Sequence, residues 1–213
     1  MDFISPKIQH YAEQFTAPEG DVLQRLNRET NAKITMPQML SGHLQGAMMS
    51  MFSQMIKPKF ILEIGTFTGY SAICLAQGLQ DGGMLHTIEI NDELQPMIKK
   101  YHTEAGLQHK ITLHCGNALQ IIPRLKETFD LVFIDADKKN YSNYFDAVIN
   151  KVRRGGFLLA DNVLWSGKVL EKESDMDADT KAIVGFNNKV RHDKRVENLL
   201  LPVRDGVMVM RVL

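Results

Sequence analysis

"FILEIGTFTGYS" (residues 60–71) runs a short apolar strand into a glycine loop and out into a helix, "GYSAICLAQGLQ". Phe60 to Ile64 carry the apolar run, and Gly65 and Gly69 punctuate the loop after it. The same rhythm continues downstream. "GMLHTIEI" is a second strand, and "NDELQPMIKKYHTEAG" a helix stopped by Gly106. "KITLHCGNA" makes a third strand and "FDLVFIDAD" a fourth. The helix "NYSNYFDAVINKVR" and a fifth strand, "GGFLLADNVL", complete the series. Strand alternating with helix at this interval predicts an α/β fold with a doubly wound, mostly parallel sheet. "ENLLLPVRDGVMVMRVL" breaks the pattern with two apolar runs around Asp205-Gly206, a hairpin signal. The sheet is therefore predicted to have seven strands and to end in an antiparallel hairpin.

Upstream of Lys57-Pro58-Lys59 the chain reads as helices. "APEGDVLQRLNRETNAK" starts at Pro18-Glu19, and "MPQMLSGHLQGAMMSMFSQMI" spaces its apolar residues helically with Met unusually dense. Such a stripe serves as adaptable core, subunit contact or substrate wall. At 213 residues, with no linker or internal repeat, one domain is expected. Lys plus Arg and Asp plus Glu both count 25, so no basic excess invites nucleic acid or a membrane surface. No apolar run approaches the ~20 residues of a membrane span. "MDFISPKIQHYAEQF" has no basic start followed by an apolar stretch, so no secretory signal is expected. Cys74 and Cys115 form no CxxC pair and read as free thiols of a reducing compartment, which predicts a cytoplasmic protein. The seven histidines show no ligand spacing.

In an open α/β sheet, ligands bind beyond the carboxyl ends of the strands. Gly65 and Gly69 give G-x-x-x-G, neither the G-x-G-x-x-G of dinucleotide folds nor the G-K-[ST] ending of a P-loop. Alone it is a weak signal that fits a structural turn equally well. Glu63, directly before it, is unwelcoming to a pyrophosphate but acceptable to a cation. Glu89 ends the second strand, where an acid can accept both hydroxyls of a ribose. The other role open to it, capping the next helix, suits Asn91 better. Together they imply an adenosine ligand without a diphosphate. Asp135 ends the fourth strand, and Asp161 with Asn162 ends the fifth. Were those strands neighbours, two carboxylates and an amide would converge, a hard oxygen set suited to Mg²⁺, with Mn²⁺ or Ca²⁺ as alternatives. Asp-Asn after a strand is also ordinary turn chemistry.

These residues resemble the class I S-adenosylmethionine-dependent methyltransferases. More closely, they resemble the cation-dependent O-methyltransferases that include caffeoyl-CoA and catechol O-methyltransferases and their small bacterial relatives. "LEIGTFTGYS", "FDLVFIDADKKNY" and "GGFLLADNVLWSG" carry the likeness, which runs from about "MLSGHLQG" to the C-terminus. The resemblance implies a Rossmann-like methyltransferase domain over residues 1–213. Within it, residues 1–57 would form a lid or homodimer contact and 58–213 the cofactor-binding core. It implies S-adenosylmethionine held by Ser41, Glu63, Gly65, Thr66, Gly69, Ser71, Glu89, Ala118, Asp135 and Asp137. A divalent cation would sit on Asp135, Asp161 and Asn162. Lys138 with Asp135 would be catalytic, and Met39, Lys138 and Trp165 would meet the acceptor.

The implied reaction is methyl transfer to a small catechol-like (vicinal dihydroxy) aromatic or phenylpropanoid. A cation would lower the hydroxyl's pKa and fix its direction, and Lys138 would take the proton. Alternatively, Lys138 and Lys139 form a solvated pair at a helix start. Trp165, the only tryptophan, either walls a flat acceptor or belongs to the core. The plant caffeoyl-CoA enzymes carry a longer N-terminal extension with no obvious equivalent here, so a free phenolic is expected over a coenzyme A thioester. Two rivals fit less well. A nicotinamide oxidoreductase needs the missing G-x-G-x-x-G. A non-catalytic or differently specific S-adenosylmethionine-binding module has no need to keep Asp135, Lys138, Asp161 and Asn162 together. RNA or protein acceptors would want a basic face.

Overall fold

The structure is a computed structural model that describes residues 5–213. The first four residues, part of both the non-secretory start and the N-terminal helical segment, lie outside the described residues. In chain order the strands are β1 (Phe60–Ile64), β2 (Met84–Glu89), β3 (Ile111–Cys115), β4 (Phe129–Ile134), β5 (Val152–Ala160), β6 (Val196–Leu201) and β7 (Val207–Val212). They form one sheet in the order β3-β2-β1-β4-β5-β7-β6. β1 to β5 run parallel, while β7 joins β5 and β6 antiparallel, as the hairpin signal predicts. β1 lies between β2 and β4, so the winding direction reverses there. A crevice opens at such a switch point.

The helices are α1 (Pro6–Gln14), α2 (Asp21–Lys33), α3 (Gly42–Ile56), α4 (Tyr70–Ala76), α5 (Gln95–Glu104), α6 (Ala118–Ile121), α7 (Tyr141–Ile149) and α8 (Ala178–His192). Strand alternation divides the core between the two faces of the sheet. Ile61, Leu131, Phe133 and Leu159 pack with Leu26, Met49, Leu75 and Tyr101 of α2 to α5. Leu62, Ile64, Val132, Ile134 and Leu158 pack with Tyr141, Phe145, Phe186 and Val190 of α7 and α8. A fully buried side chain of this size contributes roughly 1.5–3 kcal/mol, so the central strands anchor whatever their ends carry. Among the described residues no helix is long and apolar enough to cross a membrane.

Several boundaries differ from the sequence expectation. α4 stops at Ala76, short of the predicted Gln80. α7 ends at Ile149, because Val152 is drawn into β5 opposite Phe129 and Arg153 pairs with Asp130 at 2.5 Å. β5 therefore begins before the predicted Gly155 and ends at Ala160, short of Leu164, since Asn162 (φ 56°) turns the chain out of the sheet. α8 is an addition. Asp177 caps its start by accepting from the Thr180 amide, and Ile183, Phe186 and Val190 bury one face.

Candidate active site

Above the C-terminal ends of β1 and β4 lies a cleft of about 830 Å³. Gly65, Thr66, Ser71, Glu89 and Ala118 line one part of it. Asp135, Asp137, Lys138, Asp161, Asn162 and Trp165 line another, and Met39 and Ser41 are also in its wall. The sequence thus brings nearly its whole predicted set together. Glu63 and Gly69 stand outside the walls. Glu63 is fully buried behind the loop, and Gly69 (φ 96°) opens α4 against His102.

The glycine loop is held from below. Gly65 has φ 98°, and a Cβ there would lie 1.9 Å from the Asp135 carbonyl oxygen, so only glycine lets β1 and β4 meet this closely. Phe67 (φ 51°) donates its amide to Glu89 Oε2 at 2.7 Å, and Asn91 donates to Oε1 at 2.9 Å. Both Glu89 oxygens are oriented by backbone, and Asn91 caps the following turn as its side chain suggests. Underneath, Thr87 donates to Glu63 Oε2 at 2.5 Å and meets Thr66 Oγ1 at 2.5 Å. Glu63 Oε1 is buried without a partner. Burial pushes the Glu63 carboxyl up to about 8, against the pull of Ser71 and Thr87, while the charges of Asp135 and Glu89 add to the rise.

The second cluster surrounds Lys138. Its Nζ donates to Asp135 Oδ1 at 3.0 Å, Asn162 Oδ1 at 2.7 Å and Tyr141 Oη at 2.8 Å. Only 10% of the Lys138 side chain is exposed, and Nζ lies 5.7 Å from the Trp165 ring centroid. Neighbouring β4 and β5 bring Asp135 and Asn162 together, as the sheet order requires. Tyr141 is locked by α8, with Phe186 edge-on to its ring at 5.4 Å, and donates to the Asp161 carbonyl at 3.0 Å. Burial, with Asp135, Asp161 and Asp137 nearby, holds the Tyr141 hydroxyl protonated far above its ordinary range.

Asp161 Oδ1 has no partner in this buried place, and burial together with the Asp135 charge raises its carboxyl. Asp137, more exposed, accepts from Asn140 Nδ2 at 2.6 Å and from the Tyr144 hydroxyl. A cation already sits among these oxygens, in the form of an ammonium. An oxygen set that solvates it, beside an unpaired buried carboxylate oxygen, fits a hard divalent ion. Among the described residues no three His, Cys, Asp or Glu side chains form a metal cluster; this set is two carboxylates and an amide.

Gln45, Arg204 and Tyr141 are the contributors that sequence reasoning missed. Tyr141 closes the stretch "DADKKNY", and its place at the end of that motif was the available signal. Gln45 is 1% exposed, and Arg204 donates to its Oε1 at 2.6 Å.

A seven-stranded sheet with an antiparallel end and a switch-point cleft over an acid-flanked glycine loop defines a Rossmann-like methyltransferase fold. The chain belongs to the O-methyltransferase family, whose family model matches residues 13–213. It is 33% identical to the caffeoyl-CoA O-methyltransferase of Petroselinum crispum, over 95% of this chain and 89% of that one. An O-methyltransferase from Bacillus cereus, solved in complex with SAH, superposes with a TM-score of 0.90 at 29% identity, covering 97% of each chain. The O-methyltransferase TomG from Streptomyces achromogenes, solved with SAM, does so with a TM-score of 0.90 at 27% identity, over 97% of this chain and 96% of that one.

Proposed function

We propose that the protein transfers the methyl group of S-adenosylmethionine to one hydroxyl of a small vicinal dihydroxy aromatic, with a divalent cation, Mg²⁺ first, held by Asp135, Asp161 and Asn162. The oxygen nest around Lys138 Nζ, with the unpaired Asp161 Oδ1 beside it, carries this proposal. Such a cation supplies positive charge that favours the ionised form of a hydroxyl and orients it.

The chain's own residues do the rest. Glu89, fixed by two backbone amides, offers its remaining lone pairs to a ribose, and Ala118 stands on the adenine side. The open backbone at Gly65 and Thr66, with Ser71, Asp137 and Ser41, surrounds the remainder of the donor. Glu63 and Gly69 act from behind, shaping the loop. SAM and SAH in the Streptomyces and Bacillus enzymes support this assignment. Lys138 gives all three ammonium hydrogens to oxygens. With a cation on Asp135, Asp161 and Asn162, Nζ would serve as base in its neutral form, after one ammonium proton has passed to solvent, and would then take the proton of the acceptor hydroxyl. Trp165 and Met39 would hold the aromatic plane, so that donor and acceptor meet in line.

Exposed Tyr11, Phe15, Met51 and Met55 on the N-terminal helices support pairing of two copies, and the two free thiols support a cytoplasmic setting. The test is turnover of a panel of vicinal dihydroxy and monohydroxy aromatics with Mg²⁺, with EDTA, and with Asp161→Ala. Turnover restricted to the vicinal pairs and lost in both controls is expected. Turnover indifferent to EDTA would remove the cation from the mechanism.

A further inference from the structure

Arg204 lies in the turn between β6 and β7, a turn that docks onto the segment carrying Asn162 and Trp165. The Val163 amide donates to the Gly206 carbonyl at 3.1 Å, Leu164 to that of Asp205 at 2.9 Å, and Ser166 to Asp205 Oδ1 at 2.5 Å. This puts Arg204 in the wall of the cleft on the side of the Lys138 nest. Its guanidinium meets only neutral oxygens: Gln45 Oε1 at 2.6 Å and the Leu40 carbonyl at 3.4 Å. Among the described residues no carboxylate oxygen lies within 4.0 Å of it. The nearby acids are engaged elsewhere, Asp205 by the Ser166 amide and Glu19 by the Tyr70 hydroxyl.

The backbone points the same way. Arg204 has φ 49°, a conformation that costs a side-chain-bearing residue energy and that glycine would adopt freely. The chain keeps a half-buried guanidinium without a direct carboxylate partner at a strained position, with the Asp205 charge nearby, and Gln45 holds it at the cleft.

We infer that Arg204 is an acceptor-recognition residue, and that the acceptor carries an anionic group, a carboxylate or a phosphate, that pairs with its guanidinium while the hydroxyls face the Lys138 nest. Guanidinium recognises both anions through paired N–H donors. This rests on the proposed reaction and adds the charge of the acceptor to it. The rival role is a strut that clips the hairpin turn to Leu40 and Gln45.

The experiment compares dihydroxybenzoate with its amide, and the coenzyme A thioester of a dihydroxycinnamic acid with the corresponding methyl ester. Each is measured by kcat/KM and by quenching of the single tryptophan, Trp165, in wild type, Arg204→Gln, Arg204→Lys and Arg204→Gly. Glycine suits the backbone at this position, so the last variant removes the side chain without straining the turn. The anionic member of a pair is expected to be favoured about tenfold or more, the span of a charge-assisted hydrogen bond. Arg204→Gln and Arg204→Gly should collapse that ratio, and Arg204→Lys should keep part of it. Preference for the benzoate identifies a carboxylate partner, and preference confined to the thioester identifies phosphate. Equal handling of charged and neutral acceptors by wild type would overturn the inference. So would equal losses on both in the variants, which is the behaviour of a strut. If wild type methylates no acceptor, the proposed reaction fails, while the Trp165 titration still decides the charge preference by itself.

Discussion

Glu63→Gln exchanges a buried carboxyl for an amide of nearly the same shape. Glu63 has no exposed surface, and burial lifts it from an ordinary 4.5 to about 8. The folded state therefore holds this proton more tightly than the unfolded chain does. The stability this contributes is complete below about pH 4 and is lost as pH rises through 8. At about 1.4 kcal/mol per pH unit between the two values, the loss reaches roughly 3–5 kcal/mol by pH 8. Glutamine has no such proton, so the variant should gain on wild type over that window. Thermal melting at a series of pH values reads it. A domain of this size moves ~2–4 °C per kcal/mol, so the difference in Tm should change by on the order of 10 °C between pH 5 and 8.5. His102 works in the opposite sense, since burial depresses it to about 4 and its contribution is lost as pH falls toward that value. Both proteins carry His102, so it cancels in the difference. A Tm difference that stays flat across the range would refute the reasoning, whatever its constant offset.

Gly65→Ala should cost about 3 kcal/mol or more, from the left-handed φ and the contact with the Asp135 carbonyl, and should abolish S-adenosylmethionine binding by calorimetry. A melt within a degree or so of wild type would contradict it. Native protein should give one fast-reacting thiol with a disulfide reagent and two after denaturation, because Cys115 is exposed while Cys74 is buried and held as the neutral thiol.

Much of this architecture is legible in the sequence because parallel strands buried on both faces leave long apolar runs, as at Leu131 to Ile134. The hairpin was readable from Asp205-Gly206. Less legible were boundaries settled by tertiary pairing. Val152 and Arg153 continue the helical pattern of α7, yet their partners Phe129 and Asp130 lie on a different strand. α8 begins within the charged run "EKESDMDAD", which masked the buried spacing of Ile183, Phe186 and Val190. In the site, strand ends announced Glu89, Asp135 and Asp161, since strand direction fixes where they emerge. Gln45 and Arg204 come from a helix and a turn 159 residues apart. No local pattern links them, and neither type at its position signals a cleft wall.

The most direct measurement is Mn²⁺ binding observed by electron paramagnetic resonance, in wild type, Asp161→Ala and Lys138→Ala. One bound ion is expected in wild type, with loss in Asp161→Ala and tighter binding in Lys138→Ala, where no ammonium competes for Asp135 and Asn162. Binding that ignores Asp161→Ala, or that vanishes with Lys138→Ala, would contradict a cation held by these three side chains.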